Sequence, residues 1–444
     1  MNVTSRVARL AVVALLSLFC IAVTDVRGQD AAAGGAAGAP KYTMAEYNAF
    51  QAAAAEKNPA AQIKLLDDFV SKYPNSALLN YIYPLYYKNY GAQRNFPKTI
   101  EYTDKLIALG DKATPTEKYE AYSVRAYAYN NIQNPDAATA SAARAAALAG
   151  VKAVDAVPKP DNASQEDFDK QKKQSIIFFQ GTAANAAMAA KDYPGAVESY
   201  KTVLASTPDD LTSNYSLGKA YMAMNPPQQL DALWYFARAA SSKSANEQQA
   251  KTVKAYLRKL LVNYQGGTVC DSLTDAQLNE LLQLASSSPD RPASYKLFSS
   301  ADLTAAQKDM TIASVVTDLK AGGDKAKLTW TASCGLEFPD VPGKIIEVTP
   351  GTDSVGLKVA FVTSDAEFDA ATTPNMDVKV VGQPDAAKLE KGNPVRFTGT
   401  LIAYDPDPAF MLHWDKAKVN EEDLPKEKGA AKKPAAKKPA PKKP

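Results

Sequence analysis

The feature that most constrains this chain is a pattern of small and large residues that recurs along residues 191–242. In KDYPGAVESYKTVLASTPDD (191–210), Ala196 is followed by Tyr200, Val203 and Pro208. In LTSNYSLGKAYMAMNPPQQLDALWYFARAASS (211–242), Gly218 and Tyr221 precede Ala232, Phe236 and Ala239, and the last three match the spacing of the earlier stretch. Intervals of three and four put such residues on one helical face. Small residues let two antiparallel helices approach, and large rings fill the gap to the next pair. A unit of this size cannot bury its apolar face alone, so it stacks on copies of itself.

Weaker copies lie upstream, at 67–76, 80–109 and 122–148. Their small-residue marks, Gln62, Thr99, Ala138, Ala196 and Ala232, are spaced by 37, 39, 58 and 36 residues. Thr43 with Glu46 and Thr114 with Glu117 form capping boxes, the second with Pro115 at the first helical position. The long gap coincides with GVKAVDAVPKPDNASQEDFDKQKK (150–173), read as a polar loop running into a lengthened helix. A terminal helix over 246–264 is stopped by Gly266 and Gly267.

On these marks, residues 42–265 resemble the tetratricopeptide repeat. The resemblance implies an α-solenoid of antiparallel helix pairs whose first helices line a groove. Spacing of i, i+4, i+7 along those helices selects Tyr127, Asn130, Asn185, Met188, Tyr215, Lys219 and Met222, extended by Tyr47, Gln51, Tyr81 and Lys88. Tyr, Asn and Met suit an extended or helical peptide, through amide hydrogen bonds and adaptable apolar contact. The segment KLLDDFVSKYPNSA (64–77) also resembles helical-repeat proteins of bacterial envelope assembly and division.

Residues 266–324 read as a helical connector. From about residue 325 the hydrophobic period changes to two, which predicts strands over 326–334, 343–349, 354–363, 376–382, 394–404 and 409–419. With PDAAKLEKG (384–392) as a short helix before the last two strands, the module over 325–422 resembles the OB-fold domains of bacterial envelope proteins. A small β-sandwich is the alternative. Residues 325–424 carry 10 Lys and Arg against 16 Asp and Glu, which argues against a nucleic-acid groove. Tyr404, Phe410 and Trp414 flank a rigid Asp-Pro-Asp-Pro turn and are the candidate contacts for a small ligand or glycan.

The chain has 1 His and 3 Cys, with no phosphate loop, nucleophile elbow or zinc motif. A non-catalytic protein without cofactor or metal is expected. Arg6 and Arg9 precede an apolar run from Leu10 to Val23, which predicts a signal peptide over 1–28 and export to the periplasm or cell envelope. Residues 29–41 read as a flexible spacer. Residues 423–444 form a Lys/Pro-rich tail, with eight Lys against Glu427 from Pro425 onward. Such a tail cannot build a core and attracts polyanions. Behind a signal peptide those are anionic lipid or cell-wall polymer. Cys270 and Cys334 follow the apolar run, and either pair in an oxidising compartment or stay as separate thiols. The expected function is an envelope scaffold or adaptor holding a partner protein in the groove. The alternative is a ligand- or glycan-binding module built on the β-domain.

Overall fold

The structure is a computed structural model that describes residues 42–267, 269–406 and 409–425. The expected signal peptide, the spacer and the tail beyond 425 lie outside the described residues. Two compact units divide the chain. One holds the described residues up to 255 together with 282–292; the other holds 256–281 and the described residues from 293 onward.

The first unit is built of helix hairpins: α1 (Met44–Ala55) with α2 (Pro59–Lys72), α3 (Leu79–Ala92) with α4 (Phe96–Ile107), α5 (Pro115–Asn130) with α6 (Ala137–Ala156), α7 (Gln165–Ala189) with α8 (Tyr193–Ser206), and α9 (Leu211–Ala223) with α10 (Gln229–Ala240). Consecutive helices pack against one another, and α5 also touches the first helices on either side, α3 and α7. The helices α11 (Glu247–Tyr264) and α12 (Asp271–Ser287) follow.

A local rule recurs at the turns of the first four hairpins. Asn58, Asn95, Asp136 and Asp192 cap the second helices with their side chains. Four residues after each cap comes the position that meets the first helix. Thr99, Ala140 and Ala196 fill it and are buried, as is Ala232, although Gln228 four residues before it makes no side-chain cap. In the third hairpin this corrects the expected mark: Ala138 is exposed, and Ala140 takes the place two residues on. In the first hairpin Gln62 occupies it, and its amide donates to the main-chain oxygens of Ala53 and Glu56 at the end of α1.

The segment 150–173, expected as a loop running into a lengthened helix, holds that helix as the 25-residue α7, but the loop is shorter than expected. α6 continues to Ala156 and α7 begins at Gln165, leaving only 157–164 between them. Gly150 lies inside α6, where a Cβ would come within 2.6 Å of the Phe179 ring. The glycine serves close packing there.

In the second unit, α13 (Ser300–Gln307), α14 (Ile312–Ala321) and α15 (Gly323–Ser333) precede five strands: β1 (Glu337–Pro350), β2 (Ser354–Phe361), β3 (Met376–Val381), β4 (Pro394–Asp405) and β5 (Met411–Val419). A short helix α16 (Asp365–Ala370) lies between β2 and β3. The strands close into a barrel in the order β1-β2-β3-β5-β4, so the module is an OB-like barrel and not a sandwich. The β3–β5 pairing is parallel and the others are antiparallel. Val341, Ile345, Leu357, Val378, Phe397, Leu412 and Trp414 form its core, joined by Val315 and Leu319 of α14.

The strand expected over 326–334 is helical. Ala326, Leu328, Trp330 and Ala332 alternate with polar residues, but Ala326, Thr329 and Ala332 also fit a period of three and are buried, whereas Trp330 is only half-buried. β1 starts six residues before its expected first residue, because a bulge between Phe338 and Val341 carries the chain past Pro342.

Candidate protein-binding face and barrel aromatics

The first helices are tied to one another by side chains. Asn80 Nδ2 on α3 donates to Glu117 Oε1 on α5 at 3.0 Å, and Lys88 Nζ lies 3.3 Å from Glu120 Oε1. Between α5 and α7, Asn130 Nδ2 donates to Thr182 Oγ1 at 2.8 Å, and the hydroxyls of Tyr119 and Ser175 lie 2.7 Å apart. Burial, then the nearby Glu120 carboxylate, pushes the Tyr87 phenol well above its ordinary range. These ties fix the spacing of adjacent first helices.

At the N-terminal end the selected residues are joined by aromatics that the spacing rule missed. Tyr42 stacks on Tyr47 at 5.9 Å, Tyr47 meets Phe50 at 6.5 Å, and Phe50 meets Tyr81 at 6.0 Å. Gln51 Nε2 donates to the Tyr47 hydroxyl at 2.7 Å. Tyr81 is 45% exposed, while Tyr42, Tyr47 and Phe50 are half-buried. The signal for Phe50 was present: it stands three residues after Tyr47, one helical turn on.

Further along, the selected residues remain separate. Tyr127 is half-buried, edge-on to Phe96. Asn185 is exposed, and its Oδ1 accepts from the Tyr200 hydroxyl at 2.8 Å. Tyr215 packs edge-on against Phe236, Met188 and Met222 are half-buried, and Lys219 is exposed. Asn130 and Asn185 thus have structural partners as well as exposed amides with hydrogen-bonding capacity to spare.

In the second unit the expected aromatic trio does not assemble. Trp414 is 2% exposed and sits edge-on to Phe338 and Phe397 in the barrel core. Its alternation with His413 in β5 turns it inward. Trp330 of α15 takes its place beside Tyr404, with centroids 4.9 Å apart; Phe410 lies 6.5 Å from Tyr404, and Lys320 Nζ is 5.2 Å from the Phe410 ring. Reading 326–334 as a strand hid Trp330 from this cluster.

Cys270 and Cys334 form a disulfide, with Cα atoms 5.5 Å apart. It joins the start of α12 to the end of α15, and Cys334 is buried. Among the described residues, no group of three or more His, Cys, Asp or Glu is arranged to hold a metal ion, and no helix is long and apolar enough to cross a membrane.

No protein-family model matches the sequence, and comparison with characterised proteins returns no match.

Proposed function

We propose that this chain is a non-catalytic adaptor of the cell envelope, built on tetratricopeptide-like repeats, that holds a partner polypeptide along its first helices. The row Tyr47, Phe50 and Tyr81 carries this reading, because it brings aromatic rings of α1 and α3 together with Tyr81 exposed at its end. Rings of this kind bury much area at little entropic cost. The Cys270–Cys334 disulfide supports an oxidising, exported location. The Lys/Pro tail supports attachment to anionic lipid or cell-wall polymer.

Affinity capture after cross-linking in intact cells, with the full chain, Tyr81→Ala and a form lacking 426–444, tests this. The adaptor reading expects Tyr81→Ala to lose a protein partner that the truncated form keeps. It expects the truncated form to lose its binding to anionic vesicles. Identical partners for all three forms would reject it. The Trp330–Tyr404–Phe410 cluster favours the second reading, glycan or small-ligand binding at the barrel. That reading expects Tyr404→Ala to abolish glycan binding while protein capture is unchanged.

A further inference from the structure

The chain leaves the barrel from a fixed point on β4. Arg396 holds Asp423, two residues before Pro425, through its main-chain N–H at 2.8 Å and its guanidinium at 3.1 and 3.2 Å. The same guanidinium donates to Glu422 Oε2 at 3.2 Å. From Arg396 onward β4 alternates. Phe397 and Leu401 are buried in the core, while Thr398, Thr400, Ile402 and Tyr404 belong to the opposite face. Ile402 is 42% exposed, and the strip ends at the Trp330, Tyr404 and Phe410 rings.

The charges beside this strip change along it. Near the exit, Lys418 of β5 is the register partner of Thr398. Further on, Thr400 lies between Glu337 of β1 and Asp415 of β5, which also pairs with Lys379. Asp405, its side chain 61% exposed, follows Tyr404 and bonds His413. Lys320 over the Phe410 ring is the cation at the far end.

We propose that this strip of β4 is the docking surface for the chain's own Lys/Pro tail. Pro434, Pro439, Pro441 and Pro444 are interleaved with pairs of Lys. Such sequences favour the polyproline conformation, which aromatic-lined grooves recognise. The reach fits. Pro425 to Pro434 covers about 28 Å in that conformation. Arg396 to Tyr404 covers about 27 Å of strand. The first Lys-Lys-Pro therefore arrives at Tyr404, and the later prolines meet Trp330 and Phe410. The lysines pass Glu337, Asp415 and Asp405. Exposed ion pairs are individually weak, so the rings select the prolines and the carboxylates add an attraction that salt screens. The docking involves no outside partner and stands apart from the adaptor reading.

Tryptophan fluorescence of the full chain can follow this contact. Of the 3 Trp, Trp234 and Trp414 are buried, which leaves Trp330 as the ring that a quencher reaches. Replacing Pro434, Pro439, Pro441 and Pro444 together by Ala leaves the barrel sequence intact. Acrylamide should quench this variant more strongly than the parent, and its emission should shift to longer wavelength. Raising the salt should move the parent toward the variant. Equal quenching of parent and variant would overturn the proposal. So would a difference that grows with protein concentration, because the strip would then be taking the tail of a second copy.

Discussion

The guanidinium of Arg238 donates to the main-chain oxygen of Ala285 at 3.1 Å. Arg238 is buried on α10, and its other acceptors are neutral as well: Asn214 Oδ1 at 3.2 Å, Pro208 O at 2.8 Å, and Ser288 O. Ala285 and Ser288 lie at the C-terminal end of α12, where carbonyls lack helical partners and the helix dipole is negative. Arg238→Met should destabilise the first unit by about 3 kcal/mol, since it strands several buried carbonyls at once. Urea unfolding followed by circular dichroism checks this. Arg238→Lys should recover little, because an ammonium cannot reproduce the planar fork.

Gly150 tests whether packing or helix propensity governs α6. Alanine gains up to about 1 kcal/mol of propensity in a helix interior. Against that, its Cβ would overlap the Phe179 ring, which is fully buried. Overpacking of this kind costs about 1–3 kcal/mol. Gly150→Ala should therefore lower stability, and by less in a Phe179→Leu background. A double-mutant cycle on thermal unfolding measures the coupling.

Alkaline pH should loosen the tyrosine cluster of the second hairpin. The rings of Tyr86 and Tyr102 stack at 3.9 Å, and the Tyr86 hydroxyl donates to Asp67 Oδ1 at 2.6 Å. Burial pushes the Tyr102 phenol up to about 12 and the Tyr86 phenol further, from an ordinary value of 10.0. With raised folded-state values, this stabilisation is complete below pH 10.0 and is lost as pH climbs through about 12. Tyrosinate absorbance should show these two phenols ionising only together with loss of helical circular dichroism.

The disulfide spans a sequence separation of 64 residues. Closing a loop of that length is worth about 4 kcal/mol in the chain-entropy account. Cys334→Ser should lower the stability of the second unit toward that amount. Cys270→Ser/Cys334→Ser should lower it no further, because the single variant already removes the constraint. Urea unfolding with and without reductant distinguishes the contribution of the bond from that of the side chains.

The helical array was legible because its hairpins reuse a rule confined to five residues, a side-chain cap and a small residue four places on, complete in the second, third and fourth hairpins. Where the mark was placed from composition alone, as at Ala138, it fell two residues short of the buried Ala140. Strands β2 to β5 were legible because one face of each packs the barrel core, which forces a period of two. Residues 326–334 defeated that logic: threonine and alternating polar residues fit either period, and tertiary packing against the barrel decides for helix. The candidate residues could be placed on the first helices from the sequence, but their contact partners could not be read from it. Phe50 and Glu120 join Tyr81 and Lys88 from neighbouring first helices, and spacing along one helix cannot show that. Trp414 has the chemistry of a ligand contact, yet the pleat of β5 assigns it to the interior.

The Cys270–Cys334 bond also changes the covalent topology of the chain. Residues 270–334 form a macrocycle, and α13, α14 and the irregular stretch before them belong to that ring rather than to an open thread. A protease that severs one peptide bond within it leaves a single molecule of unchanged mass apart from one added water. Only a reductant would then release two pieces.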